Sequence, residues 1–262
     1  MKAIHKGFRI LILSLTLALS SSSIKAFDYR EVDVKLIGHR GASAYEPENT
    51  IPSFVKAADL EMWGVECDLY SLRDGSLVIF HDNEVDRMTN GVGKIQNMTL
   101  VEVKALNIDN GNNIKNYKNL KIPTLDEYLI CCKKNKLVPV IELKGVNVNN
   151  IKEVVDKIKG YGLEDQTIII STSYEWIRYI RQYSYKIQFQ YLSDITIENI
   201  NLLREYGTYG IDVRIDKITA ESVRLAHENG AIVNVWGVNT EGEANMLISI
   251  GVDMITSDYK LK

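Results

Sequence analysis

Histidine is scarce in this 262-residue chain, which has four. Two of them, His39 in Gly38-His39-Arg40-Gly41 and His81 in His81-Asp82, lie on either side of Glu66-Cys67-Asp68 in sequence. Imidazoles exchange protons near neutral pH and carboxylates hold hard cations, so this set has the parts for acid/base chemistry on a metal-held anion. Glu66 and Asp68 are two positions apart, so on a strand they share one face, roughly 7 Å apart along the backbone. Cys67 then points the opposite way. Two unpaired carboxylates on a buried face are costly, which calls for a cation or basic side chains between them. Glu142 and Lys144 repeat the spacing. Three carboxylates converging on one mouth form an oxygen-only donor set that suits one divalent cation, Ca²⁺ or Mg²⁺, better than Zn²⁺. The competing reading is a metal-free ion-pair network that uses Lys144 and Arg40. The Arg40 guanidinium fork also matches phosphate oxygens, with pairing to Glu48 or Glu66 as its structural alternative. His227, within a predicted helix, is read as structural.

These residues need a frame that brings them together. Short β-branched runs predict strands over 34–38, 64–70, 138–143, 167–172, 186–192, 210–215, 231–238 and 253–257. Amphipathic runs predict helices over 51–61, 124–136, 150–161, 174–183, 195–206, 219–229 and 241–250. Repeated strand–helix alternation argues for a parallel sheet with helices outside it, and eight repeats favour a closed (β/α)8 TIM barrel over an open sheet. Active sites of such barrels collect at the carboxyl ends of the strands, where His39 and His81 are expected. Two features break the rhythm. An extra strand over 77–80 follows the Asp74-Gly75 turn as a hairpin partner of the second strand. The polar, Asn- and Gly-rich stretch 83–122 then reads as an insertion over the barrel mouth, too poor in apolar residues to be an independent domain. Within it, Thr99-x-x-Glu102 has capping-box spacing for a short helix. Pro47-Glu48-Asn49-Thr50 reads as largely structural, with Asn49 or Thr50 capping the first helix.

Composition sets the outer bounds. A basic start (Lys2, Lys6, Arg9), an apolar run over 10–19, a serine run and Ala26 read as a signal peptide over residues 1–26. The run is too short for a spanning helix, so export to the periplasm or medium without a stable membrane anchor is expected. Removing it takes four basic residues and no acidic ones, moving the net charge from −3 to −7. That acidic, dispersed charge makes nucleic acid a poor partner. Residues 27–262 suit one large α/β domain. The three cysteines form no disulfide framework and read as buried thiols. No Gly-x-Gly-x-x-Gly follows the first strand, which argues against dinucleotide binding.

The chain resembles the glycerophosphodiester phosphodiesterase family. The resemblance is carried by Gly38-His39-Arg40-Gly41-Ala42, Pro47-Glu48-Asn49-Thr50, Glu66-Cys67-Asp68, Asp74-Gly75 and His81-Asp82. It continues through Ile122-Pro123-Thr124-Leu125 with Glu127, Glu142-Leu143-Lys144, Val235-Trp236-Gly237-Val238-Asn239, Gly251-Val252-Asp253 and Thr256-Ser257-Asp258. These motifs occur in the family's order along essentially the whole mature chain. The resemblance implies a (β/α)8 barrel and metal-dependent hydrolysis of a glycerophosphodiester to glycerol 3-phosphate and an alcohol. It implies Glu66, Asp68 and Glu142 as metal ligands, His39 and His81 as the acid/base pair, and Arg40 and Lys144 as phosphate binders. Trp236 would pack against the carbon face of a glycerol, an ordinary core or rim aromatic being its other reading. Gly237 stands where the family usually has threonine, and Ser257-Asp258 where it usually has Thr-Asp. Both departures are expected to lie away from the chemistry. Two rivals share these features. One is a lipid-acting relative, such as a sphingomyelinase D-like or lysophospholipase D-like enzyme, which would show an apolar rim. The other is a barrel that binds phosphate esters without turnover.

Overall fold

The computed structural model describes residues 34–207 and 209–261. The signal peptide expected over residues 1–26 lies outside the described residues. The strands are β1 (Lys35–Gly38), β2 (Gly64–Ser71), β3 (Leu77–Ile79), β4 (Val138–Gly145), β5 (Ile168–Ser171), β6 (Gln188–Leu192), β7 (Tyr209–Arg214), β8 (Ile232–Trp236) and β9 (Met254–Ser257). The helices are α1 (Ile51–Asp59), α2 (Leu100–Ala105), α3 (Leu125–Asn135), α4 (Ile151–Gly160), α5 (Glu175–Arg181), α6 (Ile197–Leu203), α7 (Ala220–Glu228) and α8 (Glu241–Ser249). All strands except β3 run parallel, in the order β1-β9-β8-β7-β6-β5-β4-β2, and pairing of β1 with β2 closes the ring. The expected barrel is therefore present.

Two-residue alternation along each strand sorts side chains into two cores. Val65, Cys67 and Leu69 on β2, Ile141 and Leu143 on β4, and Val233 and Val235 on β8 belong to the shell that packs on the helices. Ile37, Val138, Val140, Ile168, Ile170 and Met254 form a separate apolar cluster inside the barrel. Also buried within it, Asn234 Nδ2 donates to Gln190 Oε1 at 3.1 Å and Thr256 Oγ1 donates to Asn234 Oδ1 at 3.1 Å. Each of these polar groups finds a partner, as burial requires.

Element ends differ from the sequence reading by a few residues, for local reasons. The strand expected to reach residue 238 stops at Trp236 because Gly237 takes φ +80°, which turns the chain. The helix expected from residue 195 starts at Ile197 because the Thr196 side chain accepts from the Asn199 N–H.

The hairpin has a geometric cause. β2 pairs with β1 only at Gly64 and Val65, yet pairs with β4 as far as Tyr70. Its upper part outruns β1 and presents a free edge, which β3 takes antiparallel through Leu69, Tyr70 and Ser71. Segment 83–122 follows. Its Val85, Met88, Ile95, Val103, Ile108 and Ile122 are buried together with Tyr70, Leu72, Val78 and Phe80 of the hairpin region. Its small core is thus shared with β2 and β3. Thr99 caps α2, reciprocated by Glu102, as the spacing predicts. Among the described residues no helix is long and apolar enough to cross a membrane.

Candidate active site

The loop after β1 turns the first two functional side chains inward. Arg40 has φ 55° and Gly41 φ 84°, both left-handed. A Cβ on Gly41 would lie 2.3 Å from Ser53 Oγ, so the loop can fold this tightly only on glycine. Arg40, an L-residue in a disfavoured region, is held there from both sides. Its N–H donates to Glu66 Oε2 at 2.8 Å, and its carbonyl accepts from Asn49 N–H at 2.9 Å and Ser53 Oγ at 3.0 Å.

Glu66, Asp68 and Glu142 each offer an oxygen, and these oxygens lie within 4.8 Å of one another. The register of β2 on β4, with Asp68 opposite Glu142, sets this up. All three side chains are buried. Lys144 Nζ lies 2.9 Å from Glu142 Oε1 and 3.6 Å from Asp68 Oδ1, and Arg40 Nε lies 3.6 Å from Asp68 Oδ2. The metal-free ion-pair network considered from sequence is therefore there in part, but it leaves Glu66 Oε1 buried without a hydrogen-bond partner. Burial first, and then the Asp68 and Glu142 charges, push the Glu66 carboxyl well above its ordinary range. Burial and Asp68 also raise Glu142, with Lys144 opposing. Burial works against the Lys144 ammonium, yet Asp68 and Glu142 outweigh it and hold the lysine above its usual value. Converging hard oxygens, with one lacking any donor, fit a divalent cation.

Both histidines are clamped through Nδ1. His39 Nδ1 lies 2.7 Å from Asp258 Oδ1, and His81 Nδ1 lies 2.6 Å from Asp82 Oδ1. A carboxylate on Nδ1 fixes ring orientation and leaves Nε2 to exchange a proton with a bound molecule. Asp258 is held in turn by the Ser43 hydroxyl at 2.9 Å and Asn239 Nδ2 at 3.1 Å. Asp82 is gripped by Arg87, whose Nε donates to it at 2.6 Å and whose Nη2 donates to Glu48 at 2.6 Å. Burial opposes ionisation of Asp82, Asp258 and Glu48, but their basic partners prevail and hold each below its usual range. The expectation that Ser257-Asp258 lies away from the chemistry is thus corrected at Asp258. The residue directly buttresses His39, because β9 pairs with β1 and brings their ends together.

Except for Asp68, which is fully buried, all the expected site residues line one cavity of about 230 Å³. His39, Arg40, Glu66, His81, Glu142 and Lys144 form its charged side, while Ile170, Leu192 and Trp236 form an apolar one. His227 is remote, its Nε2 2.9 Å from Asp253 Oδ2. Four participants escaped the sequence reading in whole or part. Asn49 is more than a helix-start residue: its Nδ2 donates to Asp68 Oδ2 at 2.7 Å. Asp258 and Arg87 became visible only through their contacts with His39 and Asp82. Asp212, which also lines the cavity, did carry a signal as the one acid amid the apolar run Gly210-Ile211-Asp212-Val213.

Residues 39–261 match the sequence pattern of the glycerophosphoryl diester phosphodiesterase family. A glycerophosphodiester phosphodiesterase of Caldanaerobacter subterraneus is 32% identical over 229 residues, covering 85% of this chain and 93% of that protein. One from Bacillus subtilis is 29% identical over 245 residues, covering 85% and 83%. Among solved structures, an Oleispira antarctica phosphodiesterase in complex with the product sn-glycerol-3-phosphate superposes with a TM-score of 0.78. It is 27% identical, with 86% of this chain and 93% of that one covered.

Proposed function

The chain belongs to the glycerophosphoryl diester phosphodiesterase family, and on that premise we propose that it hydrolyses glycerophosphodiesters to sn-glycerol 3-phosphate and a free alcohol, with His39 and His81 handling the protons. The observation that supports this most is the convergence of two carboxylate-clamped histidines and an acid cluster on one small cavity.

In this reading Glu66, Asp68 and Glu142 would hold one divalent cation, Ca²⁺ or Mg²⁺. When bound, it supplies Lewis-acid neutralisation of the phosphoryl oxygens. Arg40 and Lys144 bind the same oxygens and counter the charge that builds in the transition state. Nε2 of one histidine takes the proton of the attacking oxygen, from water or the substrate's glycerol 2-hydroxyl. As the new P–O bond forms and the bond to the alcohol breaks, Nε2–H of the other delivers a proton to the departing alkoxide. If the 2-hydroxyl attacks first, water opens the cyclic ester with the two histidines in exchanged roles. Trp236 packs against the glycerol carbons.

The test is a panel of glycerophosphocholine, sphingomyelin and lysophosphatidylcholine, assayed with and without EDTA and after restoring Ca²⁺ or Mg²⁺. Chelator-sensitive release of choline from glycerophosphocholine is expected, with phosphorus NMR reporting any cyclic phosphate. His39→Ala or His81→Ala should each lower turnover by about 10²- to 10⁴-fold while the protein stays folded. Near-normal activity in either variant overturns the paired-histidine assignment, and preference for the lipids overturns the substrate class.

A further inference from the structure

Asp212 is the one acid of the cavity that the chemistry above leaves unused. It lies on β7, where Ile211 and Val213 point to the helix shell, so its own side chain enters the barrel. The residue is 3% exposed, and its Oδ1 has no hydrogen-bond partner. An orphaned buried acceptor costs stability unless something arrives to satisfy it. Among the described residues no basic side chain donates to that oxygen. Arg214, on the same strand, is committed to Asp216.

Position narrows what the missing donor is. In the eight-strand ring β7 lies four strands from β2 in either direction, so Asp212 faces the acid cluster from across the barrel. Ile170, Leu192 and Trp236 line the same cavity. A small phosphate ester with its phosphoryl group on the charged wall would run its carbons along these apolar side chains and end at Asp212. Burial drives the Asp212 carboxyl well above its ordinary range, with the Glu142 charge adding to the effect. A neutral carboxyl still accepts from a hydroxyl, whereas pairing with an ammonium head group needs the charged form.

We propose that Asp212 accepts a hydrogen bond from the terminal hydroxyl of the substrate's glycerol unit and thereby selects esters that carry it. This rests on the phosphodiesterase reading. It makes Asp212 a specificity residue of the wall opposite the reacting phosphorus.

The experiment compares two ligand pairs. One is sn-glycerol 3-phosphate against 2-hydroxypropyl phosphate, by calorimetry; the other is the choline esters of these two phosphates, by kcat/KM. The analogue lacks only the terminal hydroxyl and keeps the one beside the phosphate. Wild type should favour the glycerol member of each pair by about 10- to 100-fold. Asp212→Leu should bring that ratio close to one, and Asp212→Asn, which keeps an acceptor, should restore most of it. Replacing choline by ethanolamine should leave the ratio unchanged. The proposal is overturned if wild type does not discriminate, if Asp212→Leu keeps the wild-type ratio, or if the variant shifts head-group preference instead. Where the leucine variant fails to fold, Asp212→Ala takes its place and should likewise bring the ratio close to one. Failure of the phosphodiesterase reading looks different: neither diester is turned over, while the calorimetric ratio still reports on Asp212.

Discussion

The two walls of the cavity differ in kind. On the β1, β2 and β4 side, Arg40, Glu66, Asp68, Glu142 and Lys144 are packed into a mutually charged network, and both histidines line the same cavity. On the β5 to β8 side, Ile170, Leu192 and Trp236 present carbon, broken by the Asp212 carboxyl. Each wall needs the other. An apolar face opposite fixed charges lowers the local dielectric and strengthens what those charges do at a phosphoryl group. The charged face alone would bind any phosphate ester. Under the proposed function the contrast puts rate and choice of substrate on opposite sides of one barrel, so they should separate under substitution.

The largest effect is expected from emptying the charged wall. EDTA, or Glu66→Gln, should lower turnover by about 10³-fold or more, measured on glycerophosphocholine. Thermal unfolding should carry a second signature. Glu66 and Glu142 are raised in the folded protein, so without a cation the stability they contribute is complete at low pH and is lost as pH climbs through their folded values. A fixed concentration of Ca²⁺ or Mg²⁺, 100 times its Kd at pH 8, should restore about 2.7 kcal/mol there and less at pH 5, where protons compete for the carboxylates. A cation response that does not grow with pH would contradict the electrostatic account of this wall.

Next in size is the clamp on His39. Asp258→Asn should cost about 10²- to 10⁴-fold in kcat with KM nearly unchanged, since an amide can present a donor to Nδ1 and favour the wrong tautomer. The opposite wall should respond in the other parameter. Trp236→Ala is expected to raise KM by about tenfold, in line with loss of one well-packed aromatic face, and to leave kcat within a few-fold. A fall in kcat alone would erase the proposed division between walls.

The smallest effect belongs to the rim. Arg87→Ala loosens Asp82 behind His81, and kcat should fall only a few-fold because the His81–Asp82 contact itself survives. Its stability cost should stay under about 1 kcal/mol for so exposed a pair. The sign with pH is opposite to that of the acid cluster. Glu48 and Asp82 are depressed in the fold, so their contribution is present above their unfolded values near 4 and disappears as pH falls through the folded ones. Acid titration of unfolding should therefore shift its midpoint upward in Arg87→Ala.

The barrel was legible because its signals are local. Alternation over a few residues marks a strand, and Thr50, Thr99, Thr124, Thr219 and Thr240 each open a helix with a reciprocal cap. The acid cluster was legible for the same reason, since the two-residue spacing of Glu66 with Asp68 already says that they share a face. What sequence could not convey was pairing across distance. Asp258 and His39 are 219 positions apart, and only the β1–β9 contact makes them neighbours. Asn49 hid behind a competing explanation: its place before α1 accounts for an asparagine without Asp68. Asp212 carries no motif, and its meaning depends on what faces it from across the ring.

The seam between β1 and β9 has a consequence for how the molecule comes to life. His39 N–H donates to the Ser257 carbonyl at 2.9 Å and Ala44 N–H to that of Asp258 at 3.1 Å. Those contacts join the earliest and latest strands of the described chain, the longest loop the polypeptide has to close. Such non-local pairings are slow to form. A refolding chain should regain helical ellipticity well before it regains turnover, and trimming a few residues back past Asp258 should silence a barrel whose other strands still stand. Activity then works as a reporter of ring closure.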